Sequence, residues 1–243
     1  MTAHDNKRRG FIVTSAVTLG AVAVAPGIRL IEASSANTPT TGASDKVRWA
    51  MLIDTTKCAP GCDACVGACA AENGIVEEIA DPRQRSQWIR KIDLVEKRTG
   101  KQHSLPMMCQ HCTIPPCVDV CPTGASFKRA DGIVLVDRHI CIGCRYCMMA
   151  CPYKARSFVH QPLTTQNPEV PRGVGCVEAC TFCVARVDKG LKPACTEACP
   201  NGAMLFGDLN DTASEISKRL KEVASTEVRA DLKLDTGVRY QGI

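Results

Sequence analysis

The chain has 243 residues, which is enough for one large domain or two small ones. Its formal net charge of +5 is mild and no basic stripe runs along it, so the charge gives no support to nucleic-acid binding. Seventeen residues are cysteine, an odd number with many tight spacings. Cysteines two apart, with a fourth followed by proline, indicate metal clusters, whereas scattered cysteines in an exported protein indicate disulfides.

The N-terminal segment predicts an export signal over residues 1–36. Arg8 and Arg9, followed by Gly-Phe-Ile, match a twin-arginine signal, and the apolar run over 11–25 is too short for a transmembrane helix. We expect cleavage after Ala36, with Ala25 as a second candidate, and a flexible Thr/Ser/Gly-rich lead-in over 37–47. Export of an already folded protein would protect its cysteines from wrong pairing, which favours a periplasmic location. The alternative is a basic tail before a hydrophobic patch.

Sixteen cysteines fall into four groups of four. Group one is Cys58, Cys62, Cys65 and Cys69; group two is Cys109, Cys112, Cys117 and Cys121; group three is Cys141, Cys144, Cys147 and Cys151; group four is Cys180, Cys183, Cys195 and Cys199. A proline follows the last cysteine of groups two, three and four. Cys176 belongs to no group, and we expect it to be a small buried or incidental thiol.

Group three has the spacing of bacterial ferredoxins, C-x2-C-x2-C-x3-C-P. Three cysteines two residues apart can wrap one face of a cubane while the backbone amides hydrogen-bond its sulfurs. The fourth, Cys151, lies too far along the chain and is expected to ligate a second cluster. The other groups lengthen one gap, between Cys58 and Cys62, between Cys112 and Cys117, and between Cys183 and Cys195, without losing a cysteine. We therefore expect four [4Fe–4S] clusters.

Two other kinds of cysteine site remain as alternatives. Zinc ribbons also use C-x2-C pairs, but they use two pairs per metal and do not favour a C-x3-C-P ending. A disulfide scaffold would not need four similar groups, and covalent haem would need C-x2-C-H, which the sequence lacks. A structural zinc or disulfide module serving as an interaction scaffold is thus the alternative from another functional class.

The predicted elements are short and surround the cysteine groups. Strands are predicted at 49–53 before group one and at 203–206 after group four, and a hairpin with Asp131-Gly132 in its turn joins strands at 125–128 and 133–136. Residues 70–108 predict a covering loop with one amphipathic strand, although a partner surface is an alternative. This layout predicts an α+β fold of two interlocked ferredoxin-like dicluster units.

The C-terminal segment over 211–243 predicts a helix and tail. Thr212 to Glu215 match a capping box, and Ile216, Leu220 and Val223 follow at helical spacing. We expect this helix to pack on the core and to carry no chemistry.

Five charged or titratable side chains near the groups are weaker candidates: His111, His139, Arg145, Lys154 and Arg156. The histidines could tune a cluster potential by hydrogen bonding, although satisfied or exposed side chains are the commoner case. The cations could act on the clusters electrostatically or steer a partner, but the interpretation we favour is a solvated face. No catalytic triad, phosphate loop or carboxylate pair stands out, so we predict no catalytic residue and no small-molecule substrate.

Across residues 48–210, the order of the sixteen cysteines resembles four-cluster ferredoxin-like subunits of membrane-linked oxidoreductases, such as the DMSO, polysulfide, tetrathionate and nitrite reductase systems. The resemblance implies an inner unit over about 105–160 and an outer unit from 48–104 plus 161–210. It also implies four ligand sets: Cys58, Cys62, Cys65 with Cys199; Cys180, Cys183, Cys195 with Cys69; Cys109, Cys112, Cys117 with Cys151; and Cys141, Cys144, Cys147 with Cys121.

A narrower resemblance rests on the strand string Trp-Ala-Met-Leu-Ile-Asp, the Cys-Ala-Pro-Gly-Cys bulge, and Asp81-Pro82 before Trp88-Ile89. These are similar to the exported iron–sulfur subunit (subunit O) of the Dsr complex of dissimilatory sulfur metabolism, although the bulge departs from the commoner family spacing. The resemblance implies single-electron relay between a polytopic quinone-interacting membrane subunit and another redox subunit, with a multihaem cytochrome c among the partners. The alternative is the electron-transfer subunit of a molybdopterin oxidoreductase.

Overall fold

The computed structural model describes residues 43–75, 79, 81–163 and 166–243. The predicted export signal over 1–36 and most of the lead-in over 37–47 lie outside the described residues.

A three-stranded sheet stands at the centre of the described chain. Its strands are β1 (Trp49–Asp54), β8 (Met204–Asp208) and β9 (Val238–Gln241), in the order β8-β1-β9. β1 pairs antiparallel with β8 and parallel with β9. The four residues from Ala50 to Ile53 are each 3% exposed or less, so β1 is buried on both faces. The strands predicted at 49–53 and 203–206 are confirmed.

Three two-stranded antiparallel sheets complete the strand content of the described residues. They are β2 (Ile89–Val95) with β3 (Gln102–Met108), β4 (Ser126–Lys128) with β5 (Val134–Val136), and β6 (Arg156–Phe158) with β7 (Val177–Ala179). The hairpin predicted around Asp131-Gly132 is confirmed. The single strand predicted within 70–108 is wrong, because the segment holds two strands. β3 is buried at every position from Ser104 to Met108 and so lacks the alternation that predicts a strand.

Five short helices carry or follow the grouped cysteines: α1 (Ala64–Glu72), α2 (Pro116–Asp119), α3 (Tyr146–Ala150), α4 (Val184–Val187) and α5 (Ala194–Glu197). A sixth helix, α6 (Glu215–Glu222), lies near the C-terminus, and 3₁₀ turns cover Thr55–Lys57, Pro82–Gln84 and Ala230–Leu232. No helix within the described ranges is long and apolar enough to cross a membrane.

Helix α6 covers the face of the central sheet opposite the grouped cysteines. Ile216 is fully buried against Ala50 and Leu52, so the predicted packing on the core is confirmed. The predicted capping box is wrong. The N-cap is Ser214, whose hydroxyl accepts from the backbone N of Ser217 at 3.2 Å and donates to a backbone carbonyl of β8 at 2.7 Å. That second bond anchors Ser214 to the sheet, and the helix begins there.

The helices pack in two matching pairs. α1 packs on α5 in the outer part of the sequence, and α2 packs on α3 in the inner part. Arg129 lies in the turn between β4 and β5. It forms ion pairs at 2.7 Å with Asp131 of the same turn and with Asp188 at the end of α4. The predicted α+β class with ferredoxin-like units is confirmed.

Candidate metal centres

The grouped cysteines meet crosswise, three from one group with the last of another. Three such sets each line one cavity: the first outer set (Cys58, Cys62, Cys65 and Cys199), the first inner set (Cys109, Cys112, Cys117 and Cys151) and the second inner set (Cys141, Cys144, Cys147 and Cys121). The structure thus brings together the same cysteines that the resemblance assigns to three of the ligand sets.

A fourth group of thiols lies together in the outer part. This second outer set consists of Cys69, Cys180, Cys183 and Cys195, all of which are buried. Burial raises the pKa of Cys180 well above its ordinary value, and the nearby sulfurs of Cys69 and Cys195 raise it further. The pKa of Cys69 is raised by burial first and then by Cys183 and Cys195. Helices α1 and α5, which carry Cys69 and Cys195, also pack directly on each other.

A helical turn explains the crosswise exchange. In every group the third and fourth cysteines are four residues apart, as in Cys65 and Cys69 of α1 or in Cys147 of α3 and Cys151 just after it. Four residues advance roughly 6 Å along a helix axis. The two thiols therefore leave one short helix at different heights and reach two different sets.

The four cluster loops share one backbone feature. The residue before the second cysteine of each group has a positive φ: 76° at Gly61, 44° at His111, 69° at Gly143 and 52° at Phe182. This left-handed conformation is rare for bulky residues and curls the chain sharply between the two cysteines. The extra residue in group one leaves this feature in place, so the bulge does not alter the shared turn.

The last cysteines of groups two and four sit in matching turns. Each begins a Cys-Pro-x-Gly string whose glycine has a positive φ, 70° and 57° respectively. The sulfur of Cys121 accepts a hydrogen bond from the backbone N of Ser126 at 3.3 Å, and that of Cys199 from Ala203 at 3.2 Å. Such N–H donors to sulfur are among the features that set the potential of an iron–sulfur cluster.

Burial raises the pKa of several of the grouped thiols. Burial raises the pKa of Cys58 to about 11 and the pKa values of Cys109 and Cys195 to about 12. Crowded thiolates without a cation would therefore take up protons at neutral pH, whereas bound iron supplies the positive charge that holds them deprotonated. Among the described residues, no three Cys, His, Asp or Glu side chains are arranged to hold a single metal ion. The thiols of three sets each line one cavity, and this arrangement and donor type fit multi-iron clusters.

The two candidate histidines differ in burial. His111 is fully buried, accepts a hydrogen bond from the backbone N of Val134 at 3.0 Å through Nδ1, and stacks on Phe182 with ring centroids 3.7 Å apart. Burial, followed by Arg48 and Arg156, lowers the pKa of His111 to about 3. His111 is thus a neutral side chain between cluster loops, whereas His139 is exposed.

The three candidate cations likewise differ in their exposure to solvent. Arg145 and Lys154 are exposed, and the guanidinium of Arg145 lies 4.0 Å from the ring centroid of Phe158. Arg156 is only 6% exposed, so the solvated-face interpretation is wrong for this residue. As the first residue of β6, it is carried into the core between the inner sets, a position that its sequence neighbours do not reveal.

Sequence reasoning missed the contact of the Asn73 side chain with a cysteine sulfur. Asn73 is 1% exposed, and its Nδ2 donates to the carbonyl oxygen of Cys69 at 2.9 Å and to its Sγ at 3.6 Å. An Asn-Gly pair after a helix predicts a turn, and only its position four residues after a cysteine points to this contact. The expectation for Cys176 is confirmed: it is 9% exposed and its thiol donates to the carbonyl of Arg138 at 3.2 Å.

Comparisons with known proteins agree with this chemistry. Residues 101–209 match the family model of the 4Fe-4S dicluster domain. An "Hdr-like menaquinol oxidoreductase iron-sulfur subunit 1" of Archaeoglobus fulgidus is 44% identical over 227 residues, 81% of this chain and 84% of that protein. The B subunit of tetrathionate reductase from Salmonella typhimurium is 36% identical, covering 90% of this chain and 80% of the relative.

A third relative, the "Menaquinone reductase, iron-sulfur cluster-binding subunit" of Nitratidesulfovibrio vulgaris, is 36% identical over 230 residues, 80% of this chain and 89% of that protein. The identities exceed what a shared fold alone would give, and the matches span most of each chain. The chain therefore belongs to the family of [4Fe–4S] electron-transfer subunits of membrane oxidoreductases.

Proposed function

We propose that this chain relays single electrons through four [4Fe–4S] clusters, between a quinone-interacting membrane subunit and another redox subunit of its complex. The crosswise meeting of sixteen cysteines in four sets carries the proposal, because each set supplies the four thiolates that one cubane requires. The names of two relatives, one a menaquinol oxidoreductase subunit and one a menaquinone reductase subunit, support quinone chemistry at one end.

Each of the four sets would hold one cluster, in an outer pair and an inner pair. Within a pair, the helical turn between the third and fourth cysteines would tie both clusters to the same helices. The clusters would supply the electron-carrying chemistry. The chain's own contribution is to bury the thiolates and to direct N–H donors at their sulfurs, as the backbone of Ser126 and Ala203 does.

At the finer level, we propose a Dsr-type sulfur-metabolism complex with a multihaem cytochrome c among its subunits, and a periplasmic location reached by twin-arginine export. The resemblance of the first strand and the group-one bulge supports this assignment. The alternative, a molybdopterin oxidoreductase, is favoured by the tetrathionate reductase relative. Genes for a polytopic membrane subunit and a cytochrome beside this one would support the first; a gene for a large molybdopterin subunit would support the second.

Metal analysis and redox titration test the relay. The purified full chain should contain about sixteen irons and sixteen acid-labile sulfides, with each cluster reduced by one electron. Cys112→Ser removes a ligand of the first inner set and should lower the iron content or change one electron paramagnetic resonance (EPR) signal. Cys176→Ser is the matched control, since this thiol lies outside the four sets, and should change neither. Bound zinc, or fewer than about eight irons per chain, would contradict the proposal.

A further inference from the structure

Arg156 is a buried cation that touches the inner cysteines directly. It begins β6, is 6% exposed, and lines the cavity of the first inner set. Its Nη2 donates to the sulfur of Cys117 at 3.0 Å and to the hydroxyl of Ser126 at 2.8 Å. A charge-assisted bond from a guanidinium to a thiolate is stronger than a bond between neutral groups.

The guanidinium also acts on the second inner set. Ser126, whose hydroxyl accepts from Arg156 at 2.8 Å, lines the cavity of the second inner set. The backbone N of the same residue donates to the sulfur of Cys121, a member of that set, at 3.3 Å. The sulfur of Cys147 in the second set also acts electrostatically on Arg156. One charge therefore stands between both inner sets.

Two nitrogens of the Arg156 guanidinium indicate that a ligand binds beside them. Nε and Nη1 of Arg156 are buried and have no hydrogen-bond partner among the described residues. Buried donors are almost always satisfied, and the sulfides of a bound cluster are acceptors of the required kind. Arg172, which is also buried, differs in that the carboxylate of Glu178 pairs with it at 2.8 Å. Arg156 instead donates to a cysteine sulfur, that of Cys117.

We propose that Arg156 raises the reduction potentials of both inner clusters, an inference that rests on the four-cluster function proposed above. Reduction adds one electron, and hence one negative charge, to a cluster. A fixed cation in a low-dielectric interior stabilises that charge, and hydrogen bonds to the sulfurs act in the same direction. Arg156 is thus a positioning residue. It does not carry electrons itself, but its charge determines which clusters are reduced first.

The test is an EPR-monitored redox titration of the purified full chain with its clusters. Arg156→Met and Arg156→Gln remove the charge, and Gln keeps a donor for Cys117. Both should lower the reduction equilibrium constant of two clusters at least tenfold, about 59 mV for a one-electron couple, and leave the other two unchanged. Arg156→Lys should retain most of the wild-type potential. Lys154→Asn removes an exposed charge two residues away and should shift nothing.

Two outcomes would overturn this inference and leave the proposed function intact. One is unshifted potentials in a neutral variant that keeps about sixteen irons, and the other is an equal shift of all four clusters. Loss of the inner clusters from both neutral variants, with normal potentials in Arg156→Lys, would assign Arg156 to cluster retention and would also overturn it. A wild-type chain without four clusters would instead overturn the proposed function, so the two failures are distinguishable.

Discussion

At the scale of single residues, His111 shows what the fold imposes on one side chain. Its φ of 44° is unusual for a residue with a bulky side chain, and such strain costs about 1–3 kcal/mol. The hydrogen bond from Val134 and the stack on Phe182 hold it there. Because His111 lies in the loop of group two and Phe182 in that of group four, this stack is a direct contact between two cysteine loops that are distant in sequence.

The buried state of His111 predicts a dependence of stability on pH. Its pKa is about 3 in the folded chain and 6.5 ordinarily, so below pH 6.5 the unfolded chain binds a proton that the folded chain refuses. The stability that depends on neutral His111 is complete above pH 6.5 and falls as the pH drops toward 3, by at most about 1.4 kcal/mol per unit.

Thermal loss of the visible cluster absorbance between pH 7 and pH 5 measures this dependence. We expect a shallower decline for His111→Asn than for the wild type, since Asn does not titrate and tolerates a positive φ. His139→Asn is the matched control, because this exposed histidine should leave the slope unchanged. Parallel slopes for wild type and His111→Asn would contradict the prediction.

At the scale of elements, the cluster loops differ in how firmly they require glycine. A methyl group on Gly143 would lie well inside van der Waals contact of the carbonyl oxygen of Gly175, whereas one on Gly61 would meet no atom within 4 Å. Both glycines have a positive φ, 69° and 76°. They therefore share the conformational demand and differ only in the available space.

Paired alanine substitutions separate these two effects. Gly61→Ala should cost about 1–2 kcal/mol, the strain of a left-handed alanine. Gly143→Ala should cost clearly more, because the chain near Gly175 must also move, and it should perturb the EPR signal of the second inner set. Chemical denaturation together with EPR spectra gives both quantities. An equal loss of stability in the two variants would show that steric contact at Gly143 is unimportant.

Local patterns explain which elements the sequence predicts. β1, β8 and the β4–β5 hairpin have apolar or turn signals within a few residues, and each was predictable. β3 and β9 were not, because β3 is buried on both faces at its inner end and contains Pro106, while β9 has only four residues. The start of α6 was misplaced because the bond from Ser214 to β8 decides it, and that contact is tertiary.

At the scale of the whole molecule, the sixteen cysteines were recognisable because their spacing is a local property. Which sets they form is not local. Cys199 joins Cys58, and Cys69 joins Cys180, across long stretches of chain, so only the family resemblance supplied these partners. The burial of Arg156 likewise depends on both inner sets being in place, which no short segment of sequence records.

The crosswise sets also bear on the proposed export. Because each cluster would join distant parts of the chain, it would form in a folded chain, and the proposed twin-arginine route carries folded proteins. We expect Arg8→Lys with Arg9→Lys to leave the loaded protein in the cytoplasm, as cell fractionation would show. Lys7→Gln keeps the arginine pair and should be exported normally. Unchanged export of the double variant would refute the signal assignment.

The position of β9 beside β1 has a consequence for biosynthesis. β1 is among the first described residues to leave the ribosome, yet its parallel neighbour emerges after every cysteine of the four groups. The hydroxyl of Tyr240 in β9 then donates to the carbonyl of Pro106 at 2.9 Å, fastening the second strand of the β2–β3 hairpin. Until β9 has been synthesised, β1 lacks its parallel neighbour, so one edge of the central sheet is unpaired while every grouped cysteine is already in place along the chain.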